Sequence, residues 1–314
     1  MRSLAVWRWW WIFFGVLGTL ISYAAADEPK ISVVLSRSIA PYLEAVEGTR
    51  EALQAAGLSA AFDVRDIKGD RKEETRIADE VVKQQPRLII TVGTEATTLM
   101  KASTNTIPIV FSMVVRAETL VKDHPSVIGA SMEVPAREQL RVLQTLLPSL
   151  KRVGVIYNPA LHHPDAMIRH QEAAHDLGIE LVVEPVDTVV DVPPRLKTLL
   201  PTIDAFWLIP DETVLAPQMV QHILLETLRA RLPVLAPSWA FVEQGALVAV
   251  GCDYRDVGRQ AGELAVNVLL GRPQLPTGVV EARTTRVYVN LRTAKTLGIS
   301  IPQDVMTSVD RTVR

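Results

Sequence analysis

Ile31-Ser32-Val33-Val34-Leu35, followed by residues 41–56 and then Gly57, sets the pattern on which the rest of the chain is built. A short, nearly continuous apolar run rich in Val and Ile reads as a strand covered on both faces, because a half-exposed strand would alternate instead. Residues 41–56 read as a helix: Leu43, Val46 and Leu53 share one face, while Glu44, Glu47, Arg50 and Glu51 mostly avoid it. Gly57 ends that helix, since the position after the C-cap favours a residue free to adopt left-handed angles.

The same cycle repeats downstream. Strands are predicted over 61–64, 88–92, 107–111 and 127–130, with helices over 70–85 and 95–103 between them. A second series places helices over 135–147, 165–177, 193–200 and 217–230, and strands over 153–157, 179–183, 205–209 and 233–236. Strands alternating with helices predict parallel sheets, and two such series predict an α/β fold of two Rossmann-like lobes joined by a hinge. Proline marks the joints: Pro148 stops the helix before it, and Pro159, Pro164, Pro193 and Pro217 fall in loops or at helix starts. No repeat of about 20–50 residues runs through the chain, which excludes a solenoid.

Ahead of the first unit, Arg2 and Arg8 give a positive start, residues 9–23 are almost wholly apolar, and Ala24-Ala25-Ala26 offers a signal peptidase the small residues it needs. The apolar run falls short of the roughly 20 residues that span a bilayer core. Residues 1–26 therefore read as a cleaved signal peptide, with no membrane insertion afterwards, and the expected compartment is the periplasm. The remaining 288 residues suggest two domains. The first lobe is expected over 27–131 with a returning segment at about 250–272, and the second over 132–249 with part of 273–314. The formal charge of −2 becomes −4 once Arg2 and Arg8 leave, which excludes the concentrated basic face that nucleic acid requires. Cys252 is the single cysteine, so stability must come from packing rather than from a disulfide.

In open parallel sheets, ligands sit beyond the carboxyl ends of the strands. The residues at those ends are Ser36 to Ser38, Gly93-Thr94, Ser112, Tyr157-Asn158-Pro159, Asp211 and Ser238-Trp239. Each alone reads as a helix cap or turn, the ordinary use of Ser, Thr, Asn and Asp. Gathered on one cleft, they read as ligand contacts. The chain has no phosphate loop, dinucleotide fingerprint, nucleophile elbow or zinc-protease helix, so no enzyme and no cofactor is expected. Cys252 reads as packing. His162-His163, His170 and His175 raise the question of a metal, but His170 and His175 are poorly spaced for one helix face, and no metal is expected.

Several segments carry a family resemblance: Val92-Gly93-Thr94, residues 107–111, residues 152–159, Gly245-Ala246-Leu247, Gly251-Cys252-Asp253-Tyr254, Gly258-Arg259-Gln260, Val289-Asn290-Leu291 and Leu297-Gly298-Ile299. Over residues 31–305 the chain resembles the bacterial ABC-transporter substrate-binding proteins that include tryptophan and tyrosine receptors. The resemblance implies a type I periplasmic-binding-protein fold with three crossovers and delivery of a small ligand to an ABC permease by hinge closure, and a freely diffusing receptor is most simply a monomer. It also implies pocket roles for Thr94, Ser112, Tyr157, Asn158, Asp211 and Asp253. Hydroxyl and amide groups would hold a carboxylate, Asp211 or Asp253 an ammonium group, and Tyr157 and Trp239 would stack on an apolar body. Val115-Arg116-Ala117 departs from the family's usual Asp-Pro, and Arg116 adds a positive charge near the cleft. The ligand expected is therefore an amino acid or another small carboxylate or anion. The alternative is a periplasmic sensory or accessory module that presents a ligand or a shape to a membrane kinase or other partner.

Overall fold

The computed structural model describes residues 30–58, 62–67, 71–122, 124–273 and 278–314, so the expected signal peptide lies outside the described residues. The first lobe opens with β1 (Ile31–Leu35), α1 (Ala40–Ala55), β2 (Phe62–Asp66), α2 (Arg71–Lys83), β3 (Leu88–Val92), α3 (Thr94–Ser103), β4 (Ile109–Val114), α4 (Ala117–Val121) and β5 (Val127–Ser131). The chain then crosses to α5 (Ala136–Leu146), β6 (Arg152–Tyr157), α6 (Ala166–His175), β7 (Glu180–Pro185), α7 (Val192–Leu199), β8 (Ala205–Trp207), α8 (Pro217–Arg229), β9 (Val234–Ala236), α9 (Trp239–Gln244) and β10 (Val248–Cys252). It returns with α10 (Tyr254–Leu269) and β11 (Val279–Val280), and finishes with β12 (Thr285–Asn290), α11 (Leu291–Leu297), α12 (Gln303–Thr307) and β13 (Arg311–Val313).

Two sheets result, ordered β11-β5-β4-β3-β1-β2 and β13-β12-β10-β9-β8-β6-β7. Their pairings are parallel except β10 with β12. β1, β3, β4 and β5 are buried along their whole length, the expected consequence of helices on both faces of a parallel sheet. Each lobe repeats one strand order, with the second strand outside the first and the third on its other side. The order reverses between β1 and β3, and again between β6 and β8. At such switch points the connections leave in opposite directions and open a crevice at the carboxyl ends of the strands.

Residues 248–252 pair with β9 and β12 in the second sheet, and the chain leaves that sheet for α10 after Cys252. Val279 and Val280 pair with Gly129 and Ala130 and extend the first sheet. The chain thus passes between the lobes after β5, after β10 and after β11.

The returning helix α10 is fastened by its glycines. A Cβ on Gly258 would stand 1.9 Å from the Ala45 carbonyl oxygen, and one on Gly48 1.9 Å from that of Arg255. The two backbones therefore approach as closely as only glycine allows. Thr49 Oγ1 uses the proximity to donate to the Gly258 carbonyl at 2.9 Å.

Candidate functional site

The lobes face each other across a cleft that encloses about 270 Å³. The first lobe and the crossover after it contribute Val115, Arg116, Glu118, Met132, Glu133 and Val134, and the second contributes Gln139, His162, Arg169, His170, Trp207 and Ile209. The floor is set by the short strand β8. Trp207 is 1% exposed, its indole N–H donates to Gln139 Oε1 at 3.0 Å, and its ring meets His170 edge-on at 5.1 Å.

The switch point between β6 and β8 supplies the polar wall. Asp211, 1% exposed, accepts from the backbone N–H groups of Asn158 (2.7 Å), Thr213 (2.9 Å) and Val214 (3.1 Å), and pairs with His162 Nε2 at 2.9 Å. Burial alone would raise the Asp211 carboxyl, but His162 and the surrounding N–H donors hold it below the usual carboxylate range. Asn158 is equally engaged. Its amide donates to the Asp187 carbonyl and Thr213 Oγ1, and its oxygen accepts from Ala160 N–H. These two residues tie the loops after β6 and β8 together and hold His162 against the cavity.

The opposite wall turns on Arg116, which has left-handed backbone angles (φ 52°) and donates its backbone N–H to Glu133 Oε1 at 2.9 Å. Its Nη2 reaches across the cleft to Glu212 Oε1 at 2.7 Å, while Nη1 is buried without a partner. A second ion pair crosses from Arg169 to Glu118 at 2.6 Å. Burial pushes the Glu133 and Glu281 carboxyls up. His170 is pushed down to about 4 by burial, reinforced by the positive fields of His162 and Arg169, so it is a neutral imidazole near pH 7. Its Nδ1 also lacks a partner.

Of the eight residues singled out from sequence, Arg116 lies on this wall. Asp211, Asn158 and Tyr157 stand behind it; Tyr157 meets the His162 ring edge-on at 5.7 Å. Thr94 begins α3 and is half-buried, and Ser112 is fully buried in β4 with its hydroxyl unpartnered. Trp239 lines a different recess, with Tyr254, Tyr288 and Arg286. Arg311 stacks 4.0 Å over the Trp239 ring. Asp253 caps α10 by accepting from Asp256 N–H and pairs with Arg286. Sequence reasoning missed Glu133, Gln139, Arg169 and Trp207 as cavity residues. Glu133 follows β5, so the rule of strand ends reaches it when applied to that strand too.

A family profile described as ABC transporter substrate binding protein matches residues 30–313. The chain belongs to the ABC transporter substrate-binding proteins. This substrate-binding protein is 26% identical over 252 residues to a tyrosine-binding protein of Clostridioides difficile, covering 77% of this chain and 71% of the relative. Among solved structures, a ligand-free, open substrate-binding protein with adhesive properties from Clostridium difficile superposes with a TM-score of 0.72 at 22% identity, covering 91% of this chain and 100% of that one. A Streptococcus pneumonia ABC domain in complex with L-Trp gives 0.65 at 22% identity over the same shares. The fold is that of the type I periplasmic binding proteins. Among the described residues, no helix is long and apolar enough to cross a membrane.

Proposed function

We propose that this substrate-binding protein is a periplasmic receptor that captures a small solute, an amino acid or another small carboxylate, between its lobes and delivers it to an ABC permease. The observation that carries this reading is the cleft itself: both lobes line it, and the Arg116–Glu212 and Arg169–Glu118 pairs bridge it. A ligand that touches both lobes favours the closed arrangement by its differential contacts, and a permease can read that arrangement. The tyrosine-binding relative and the L-Trp complex support a ligand of amino-acid size. Burial pushes the Cys252 thiol up to about 12, which leaves it a packing residue rather than a nucleophile and favours binding over catalysis.

Thermal unfolding of the purified protein against a panel of amino acids and small carboxylates tests the reading, because a ligand that binds only the native state raises the midpoint. A saturable rise accompanied by compaction in small-angle scattering is expected. A panel without any rise removes the solute-receptor reading and leaves the partner-presenting module.

A further inference from the structure

Two nitrogens on the cavity wall are buried and unsatisfied: Arg116 Nη1, on the first lobe, and His170 Nδ1, on α6 of the second. Native proteins rarely leave buried donors empty, and those that remain mark where an ion, a water or a ligand belongs. The other arginines on the wall are engaged, Arg137 by Asp176 and Arg169 by Glu118. Arg116 is engaged on one side only, because Nη2 is held by Glu212 while Nη1 is buried without a partner. A guanidinium with one arm fixed and one arm empty is a carboxylate receptor with its orientation already set.

The seats for an ammonium group are less open. Asp211 and Asp253, the acids that the sequence offers for that task, are committed. Asp211 accepts four hydrogen bonds, and Asp253 holds Arg286 and the start of α10. Glu133 and Glu281 remain on the wall. Glu133 accepts the Arg116 backbone N–H, and burial pushes both carboxyls up. Met132, Val134, Trp207, Ile209, Pro237 and Val250 supply an apolar part of the lining.

We infer that the cleft takes a small organic acid with an apolar body and no required amino group, its carboxylate bound by Arg116 Nη1 with His170, in the tautomer that carries its proton on Nδ1, as a second donor. This rests on the receptor reading above and names its ligand class. Arg116 is then the residue that determines specificity, and it couples occupancy to closure, because the same guanidinium that meets the ligand grips Glu212 of the other lobe.

The test uses matched pairs, each an acid and its primary amide: 3-phenylpropionate, indole-3-acetate and hexanoate, with L-tyrosine alongside, titrated calorimetrically into the wild-type protein and into Arg116→Gln. At least one acid is expected to bind on the order of tenfold or more tightly than its amide, the scale of one charge-assisted hydrogen bond. In Arg116→Gln that preference disappears, while Arg229→Gln, which removes an exposed cation that does not line the cavity, keeps it. Equal binding of acid and amide, or a preference that survives Arg116→Gln, overturns the inference while any saturable binding still upholds the receptor. L-tyrosine binding without any acid binding does the same. Failure of every probe overturns the inference, and the receptor reading is then decided by the thermal-unfolding panel. Should Arg116→Gln not fold, the acid and amide comparison in wild type and in His170→Phe decides, a retained preference being expected in the first and a weakened one in the second.

Discussion

Asp211 shows how a single buried carboxylate organises the loops beside the cavity. It is buried, and every donor aimed at it belongs to the loops after β6 and β8. Asp211→Ala strands three backbone N–H groups and frees His162. An unsatisfied buried donor costs about 1–3 kcal/mol, so urea unfolding should show a loss of at least roughly 2 kcal/mol. His170 makes a second, independent prediction. Its pKa falls from 6.5 to about 4 on folding, so the unfolded chain binds the proton more readily. The contribution is fully present above about pH 6.5, declines as pH falls toward 4 and is gone below it, with a ceiling of roughly 3 kcal/mol. His170→Gln should therefore lose less stability than the wild type when unfolding is compared at pH 7 and pH 4.5.

At the scale of elements, the seam between α1 and α10 is the contact least tolerant of change. Gly258→Ala places a methyl group where the Ala45 carbonyl already sits, so the helices must separate. Overpacking of this kind costs about 1–3 kcal/mol or more, and a lowered denaturant midpoint with an unchanged slope would report it. The glycine needs no special backbone angle, and only the three-dimensional pairing of two distant helices explains it. Strands β1, β3 and β4 were legible in sequence because wholly buried parallel strands appear as continuous apolar runs. The terminal third was harder. β11 has two residues and exists because β5 offers it an edge, and β12 mixes Thr, Arg and Tyr as it pairs antiparallel on the outer side of β10. The rule of strand ends brings Asn158 and Asp211 to the loops behind the cleft. It could not reveal which polar groups the fold itself engages: Asn158, Asp211 and Asp253 bind protein partners, whereas Arg116 keeps one arm empty.

For the whole molecule, the cross-cleft ion pairs join the two lobes while adding little to folding stability. Glu212 is 78% exposed and both partners of the Arg169–Glu118 pair are nearly half exposed, so each pair contributes at most about 1 kcal/mol to folding. The double substitution Glu118→Gln with Glu212→Gln is expected to leave the unfolding midpoint within a few degrees of wild type. It should enlarge the radius of gyration measured by small-angle scattering without ligand. Raising the salt concentration on the wild type should act in the same direction, because exposed pairs are screened within about 10 Å at 0.1 M salt.

The order of the chain also governs how the protein is made. α10 and β11, which complete the helical cover and the outer edge of the first sheet, are synthesised after all the parallel strands from β6 to β10. A polypeptide emerging from its amino end therefore cannot finish its first lobe while it waits for the second. Until Leu269 has emerged, the surface that receives α10 on α1 stays bare. Domains that are continuous in sequence can fold one after another during synthesis. Here the two lobes must mature together, and a chain truncated before residue 254 would release two unfinished cores.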